Sequence, residues 1–232
     1  LAGHRFEVNQ RPPDKLPVCQ VPPRTAEIRI DGVLDPKEWG GLDPAQGVAL
    51  TRNPDNVPTK ARPSTMWLRR DAEYLYLGLR HEVEPGLMPQ PKGNAASWWG
   101  EADIMEIIFE GAGGDWWPAD RGHGPLYYLV GDCAGVFDSY MVAGLPKTRA
   151  DGLRGVVQYA AAGRPGEWTA EWRVPLAALG LDPKTAKGCC FNVGVHKPRT
   201  PDASANHKWA VWTGTGGPNW RVWNAGWLSL EE

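Results

Sequence analysis

Apolar and polar positions alternate along this chain in short runs, with few exceptions. In Tyr74 to His81, Leu75, Leu77 and Leu79 take one face while Tyr74, Tyr76 and Arg80 take the other, the period of two of a half-buried strand. Thr65 to Arg70 precedes it across the turn Arg70-Asp71-Ala72-Glu73, so the two runs predict a hairpin. Ile104 to Glu110 alternates likewise, with Met105, Ile107 and Phe109 against Glu106, Ile108 and Glu110. Ala26 to Asp31, closed by Gly32, reads as a short strand. Further candidates are Leu126–Val130, Val136–Val142, Leu153–Ala160, Trp168–Val174, Phe191–His196, Trp209–Trp212 and Trp227–Leu230. About ten short strands punctuated by Gly and Pro predict an all-β fold, an antiparallel β-sandwich. Helical spacing is nearly absent. Asp35 can cap a single turn over Pro36-Lys37-Glu38-Trp39 that Gly40 stops, and Pro175 to Leu179, ended by Gly180, resembles another.

Prolines set the boundaries. Residues 1 to 24 contain Pro12, Pro13, Pro17, Pro22 and Pro23 with little apolar periodicity, and read as an N-terminal arm ahead of one domain over 25–232. Residues 43–63 hold four more prolines and read as a long loop with at most one edge strand. The chain begins at Leu1 and reads as a processed or trimmed product.

Charge and composition narrow the function. With 27 acidic and 25 basic side chains among 232 residues there is no basic stripe to neutralise phosphates, so nucleic acid is not an expected partner. No apolar run approaches the roughly 20 residues of a membrane-spanning helix. Neither G-x-G-x-x-G nor a P-loop is present, so no nucleotide cofactor is expected. The 13 Trp exceed the 4 Phe and 6 Tyr together, and that excess needs an explanation. Of the four cysteines, Cys189 and Cys190 are adjacent and too close to bond each other, which leaves pairing with Cys19 or Cys133, or four thiols, as alternatives. Their spacing matches no zinc site.

Six motifs, taken in order, resemble those of family 9 carbohydrate-binding modules. Ile30-Asp31-Gly32-Val33-Leu34-Asp35-Pro36-Lys37-Glu38-Trp39 is similar to the family's I-D-G-x-L-D-x-x-x-W opening, and Asp71-Ala-Glu-Tyr74-Leu75-Tyr76 to its D-x-x-Y-L-Y turn and strand. Trp99-Gly-Glu-Ala-Asp103-Ile-Met-Glu106-Ile-Ile-Phe109 resembles W-x-x-D-x-x-E-I-F with one residue inserted. Gly166-Glu-Trp168-Thr-Ala-Glu171, leading to Pro175, Leu179 and Gly180, resembles G-x-W-x-x-E…P…L-G. Phe191-Asn192-Val193 and the closing Trp220 to Leu228 complete the series.

The resemblance implies a jelly-roll β-sandwich. It also implies an extracytoplasmic, secreted or periplasmic location, attachment to or association with a glycoside hydrolase or a larger extracytoplasmic assembly, structural calcium, and a glycan ligand held between two Trp rings. By position the rings fall on Trp99, or Trp98 given the insertion, and on Trp220, with Glu106 as the carboxylate that bonds sugar hydroxyls. A basic residue and an amide of the family fall near Leu129 and on Gly194, so those two polar contacts are absent; Asp132, His196 and Lys197 are the nearest substitutes. Calcium candidates are Asp31, Asp35 and Asp71, which also suit turns and caps. Trp39, Trp67, Trp168 and Trp172 fall at core positions, whereas Trp116, Trp117 and Trp223 fall in turns where a ligand could lie. Chemically, indoles meet the C–H faces of a pyranose and charged acceptors meet its hydroxyl rim. Burying roughly 60–100 Å² against each ring is worth about 1.5–2.5 kcal/mol.

Two other readings compete. Glu101-Ala-Asp103-Ile-Met-Glu106 fits E-x-D-x-x-E and resembles the catalytic strand of family 16 glycoside hydrolases, with Glu101 as nucleophile, Asp103 as its partner and Glu106 as acid/base. Retaining chemistry needs the two glutamates about 5–5.5 Å apart, which a regular strand prevents without a bulge. A haem-binding or docking sandwich would draw axial ligands from Met66, Met88, Met105, His81 and His196, but no pair is singled out and C-x-x-C-H is missing, so haem is not expected.

Overall fold

The computed structural model describes residues 16–93, 98–113 and 123–231. Within them the strands are β1 (Val18–Gln20), β2 (Val48–Leu50), β3 (Ser64–Arg70), β4 (Tyr74–Glu82), β5 (Ile104–Glu110), β6 (Leu126–Asp132), β7 (Phe137–Met141), β8 (Gln158–Arg164), β9 (Glu167–Pro175), β10 (Gly188–His196), β11 (Trp209–Val211) and β12 (Gly226–Ser229). Two short helices, α1 (Pro36–Trp39) and α2 (Lys147–Arg154), accompany them. One sheet runs β1-β12-β10-β5-β6-β7, with β11 added on β10, and the other runs β2-β3-β4-β9-β8. The named strand pairs are antiparallel except β1 with β12. The fold is the expected all-β sandwich.

Alternation sorts each strand between two environments. Leu75, Leu77 and Leu79 of β4 join Met105, Ile107 and Phe109 of β5 and Phe191, Val193 and Val195 of β10 in the layer between the sheets. The opposite face of the smaller sheet carries a second cluster of Trp39, Trp67, Tyr76, Ile28 and Leu34. The opposite face of the larger sheet carries a third, with Ile104, Ile108, Tyr128, Cys190, Trp98, Val222 and Trp227. Every residue of β5 and β6 is therefore buried, although both strands alternate.

The recurring sequence motifs interlock. Glu171 on β9 is fully buried, and its carboxylate accepts the Asp31 and Gly32 amides at 3.1 and 2.9 Å and the Trp39 indole N–H at 2.9 Å. Gly32 has φ +85°, and a Cβ there would lie 2.7 Å from the Ala161 backbone. Gly78 leaves room for the Trp39 ring, which a Cβ would meet at 2.7 Å. Asp71 closes the β3–β4 turn by accepting the Glu73 and Tyr74 amides and the Tyr76 hydroxyl.

Some sequence expectations need correction. Ala26–Asp31 forms no strand, because its end donates to the Glu171 carboxylate and Arg29 N–H to Glu38 instead of to a neighbouring strand. The arm assigned to residues 1–24 enters the sheet at Val18–Gln20, between Pro17 and Pro22, where donors remain for a ladder; residues 1–15 lie outside the described residues. Leu153 belongs to α2 and not to a strand. It is buried beside Ala150, three residues before it on one helical face. All four cysteines are free. Cys189 faces the inter-sheet core and Cys190 the outer cluster, so successive positions of β10 aim the two thiols apart.

Candidate functional site

The outer face of the larger sheet holds a polar group that alternation places and burial protects. Glu106 lies at the middle of β5, opposite Val130 of β6 on one side and Gly194 of β10 on the other. Its side chain is 3% exposed. One carboxylate oxygen accepts the Trp99 indole N–H at 2.5 Å and the other accepts the Asn219 amide at 3.0 Å. Burial raises the Glu106 pKa, while hydrogen bonds from Tyr128, Asn219 and Trp99 oppose that shift by favouring the ionised form. Tyr128 has its own pKa pushed up by burial and by the Glu106 charge.

Aromatic rings surround this carboxylate. Trp99 is 41% exposed, stacks parallel to Tyr128 at 6.5 Å and leans on Tyr140 at 5.2 Å. Trp220 and Trp223 meet edge to face at 6.2 Å, and Arg221 lies 5.9 Å from the Trp220 ring. An open cleft of about 300 Å³ has Glu106 and Tyr128 on its floor and Pro218, Asn219 and Trp220 along one wall. Pro54, Asp55, Asn206 and Trp209 line it as well.

Gly194 explains how the amide reaches the carboxylate. A Cβ at that position would lie 2.8 Å from Asn219 Nδ2. The strand position at which the family pattern has an amide is thus vacated, and a loop amide stands over it. Tyr128, on the outer face next to Leu129, supplies a hydroxyl on the strand where the pattern has a basic residue, while Leu129 itself faces the inter-sheet core.

Of the residues singled out from sequence, Glu106 and Trp220 line one cleft, and Trp99 reaches Glu106 through its indole N–H. Trp98 is different: it is 6% exposed, packed in the outer cluster, with the Lys92 ammonium 5.1 Å from its ring. Asp132 accepts the Ala134, Val136 and Lys92 amides, so it closes the β6–β7 turn and anchors the segment leading toward Trp98. His196 is buried, with its ring 4.9 Å from that of Trp209. Lys197 is also buried, and its ammonium donates to the Arg62, Pro63 and Glu82 carbonyls at 2.5, 3.0 and 2.7 Å. Those bonds tie the end of β10 to the segment entering β3 and to the end of β4, and burial brings the Lys197 pKa down to about 7. None of the three proposed substitutes lines the cleft. Trp116 and Trp117 lie outside the described residues.

The E-x-D-x-x-E group is not assembled on one face. Glu101 is exposed in the turn before β5, and Asp103 pairs with Arg199 at 2.9 Å while accepting the Gln90 amide at 2.7 Å. Only Glu106 faces the cleft. Asp31, Asp35 and Asp71 each accept backbone amides of their own turns, from Val33, Lys37, and Glu73 with Tyr74. Among the described residues no three His, Cys, Asp or Glu come together as a metal-holding group. Met66 and Met105 are fully buried in the inter-sheet core and Met88 is exposed. His81 is buried with its ring 4.2 Å from that of Trp168.

Sequence reading missed Asn219, Tyr128 and Trp209. Tyr128 was accessible from strand register alone, being paired with Ile108, two residues from Glu106 on the same face. No sequence signal marks Asn219, whose role depends on the space above Gly194.

No protein-family model and no curated protein matches the chain by sequence. Solved structures do match its fold. A candidate carbohydrate-binding protein from Bacteroides uniformis aligns over 93% of this chain and 100% of its own, with TM-score 0.59 and 16% identity. A family 9 carbohydrate-binding module from Caldicellulosiruptor kristjanssonii in complex with cellotriose aligns over 91% and 92% of the two chains, with TM-score 0.53 and 12% identity. Its complex with glucose aligns over 92% and 96%, with TM-score 0.53 and 13% identity. At these identities the likeness is one of fold. Among the described residues no helix is long and apolar enough to cross a membrane.

Proposed function

We propose that this chain is a non-catalytic carbohydrate-binding domain whose ligand lies in the cleft over Glu106. One observation carries the reading: a buried carboxylate, held by an indole N–H and an amide, forms the floor of an open cleft with Trp220 on its wall and a half-exposed Trp99 beside it. Solved structures sharing the fold include modules complexed with glucose and with cellotriose, which supports a hexopyranose ligand. Ring faces exclude water from the apolar C–H surface of a pyranose. Glu106, Tyr128 and Asn219 offer acceptors and donors to its hydroxyl edge. Two such rings contribute roughly 3–5 kcal/mol before ordering costs, which suits millimolar to micromolar affinity. An extracytoplasmic setting and a polysaccharide-degrading partner belong to the same proposal and rest on the motif resemblance, not on the cysteines.

Isothermal titration against hexose and pentose oligosaccharides tests it. Trp220→Ala should weaken binding about 10- to 70-fold, the equivalent of losing one ring's roughly 1.5–2.5 kcal/mol, with an unchanged melting curve. Binding that survives both Trp99→Ala and Trp220→Ala would place the ligand elsewhere.

A further inference from the structure

Asp55 and Asn206 line the cleft but share no hydrogen bond with the Glu106 group. They come from separate segments, Asp55 from the loop after β2 and Asn206 from the turn before β11. The Asn206 amide donates to the Asp55 carboxylate at 2.8 Å. Both side chains are exposed and neither makes a further side-chain hydrogen bond among the described residues, so the pair offers a carboxylate oxygen and an amide N–H side by side. That is the complement of two adjacent hydroxyls, one donating to the carboxylate and the next accepting from the amide.

The segments are fixed before any ligand arrives. Thr59 Oγ1 donates to the Trp209 carbonyl at 2.6 Å, and Arg52 and Val211 exchange backbone hydrogen bonds. Gly216 N–H reaches the Pro54 carbonyl at 3.0 Å, and Gly214 N–H reaches Asn56 Oδ1 at 3.2 Å. The loop bearing Asp55 is thereby stapled both to the strand bearing Trp209 and to the loop bearing Trp220. Trp209, a partly exposed ring resting on His196, lines the same cleft. A ring and a polar pair recur here in a second set.

We propose that Trp209, Asp55 and Asn206 form a second sugar subsite, selecting a ligand of at least two units whose second unit presents a vicinal diol. This rests on the carbohydrate-binding reading above. Preorganised segments lower the ordering cost of the second contact, so an added unit should gain affinity instead of merely being tolerated.

The test is a titration of the full chain with glucose, cellotriose, and a panel of matched mono- and disaccharides, comparing wild type with Asp55→Ala/Asn206→Ala. In wild type, the best oligosaccharide should bind at least tenfold more tightly than its monosaccharide. In the double variant that ratio should fall toward one. Both substitutions are at exposed positions, so a melting curve like that of wild type accompanies the expected result. A ratio that is unchanged in the double variant, in a protein whose binding is still lost with Trp220→Ala, overturns the second subsite and leaves the first standing. If no saccharide binds wild type, both proposals fall together.

Discussion

Replacing Gly194 by Ala probes the structural device that brings Asn219 to Glu106. The added Cβ would meet Asn219 Nδ2 at 2.8 Å, Val211 Cγ1 at 3.2 Å and the Trp209 ring at 3.4 Å. Of these atoms only the first must move by more than a few tenths of an ångström, and it is the far end of a rotatable side chain. The amide should swing away and leave the fold intact. Removing glycine from a strand interior gains about 0.5–1 kcal/mol, which offsets part of the crowding. The site fares differently, because Glu106 loses one of its donors. A hydrogen bond to a charged group is worth about 1.5–3 kcal/mol, so its loss should raise the Glu106 pKa further. The direction follows because the lost bond favours the carboxylate over the carboxylic acid. Carboxyl carbon shifts in a pH titration of the labelled protein report this directly and need no ligand, and saccharide affinity should drop in parallel by roughly tenfold or more. Asn219→Ala should reproduce both effects, and adding Gly194→Ala to it should change little, since the group in the way is already gone. A Glu106 titration curve unaltered by Gly194→Ala would refute the reasoning.

Glu171→Gln should lower stability by about 2–4 kcal/mol in urea unfolding, because an amide in place of one oxygen opposes N–H groups of Asp31, Gly32 or Trp39 that have no other acceptor among the described residues; a loss below about 1 kcal/mol would show that the opening motif is held by other means. His81 is buried with neither ring nitrogen hydrogen-bonded among the described residues, and burial, with Lys197 nearby, holds its pKa well below the ordinary value of 6.5. The unfolded chain takes up this proton below pH 6.5 and the folded one does not, so stability is retained above 6.5 and lost as pH falls toward the depressed folded value, by about 1.4 kcal/mol per pH unit at most. Replacement by Leu should flatten the dependence of urea midpoints on pH between about 5 and 6.5, and an identical slope in both proteins would exclude His81 as its source.

Several parts of this molecule were legible because they depend on local rules. Period-two alternation placed Leu75, Leu77 and Leu79 on one face, located the β3–β4 hairpin, and set Glu106 apart from Met105 and Ile107. Asp35, Pro36 and Gly40 announced a single helical turn that is present. Motif order assigned Trp39, Trp67, Trp168 and Trp172 to the interior, where each is at most 1% exposed. What failed locally was decided by distant partners. Ala26–Asp31 has the alternation of a strand, but its backbone is claimed by a carboxylate 140 residues away. Val18–Gln20 has the prolines of an arm, but the edge of β12 was free to pair with it.

The Trp excess follows the same division. Motif order separated Trp39, Trp67, Trp168 and Trp172, which pack, from Trp99 and Trp220, but it left Trp98, which packs in the outer cluster, with the rings in turns. It could not assign Lys197, whose charge looked available for a sugar and is instead held by the Arg62 and Pro63 carbonyls ahead of β3 and the Glu82 carbonyl at the end of β4. Nor could it foresee that Gly194, which by pattern removes an amide from the site, makes the space through which Asn219 supplies one. Alternation fixes the face on which a side chain emerges; which atoms it meets there depends on loops whose paths are set by contacts across the whole fold.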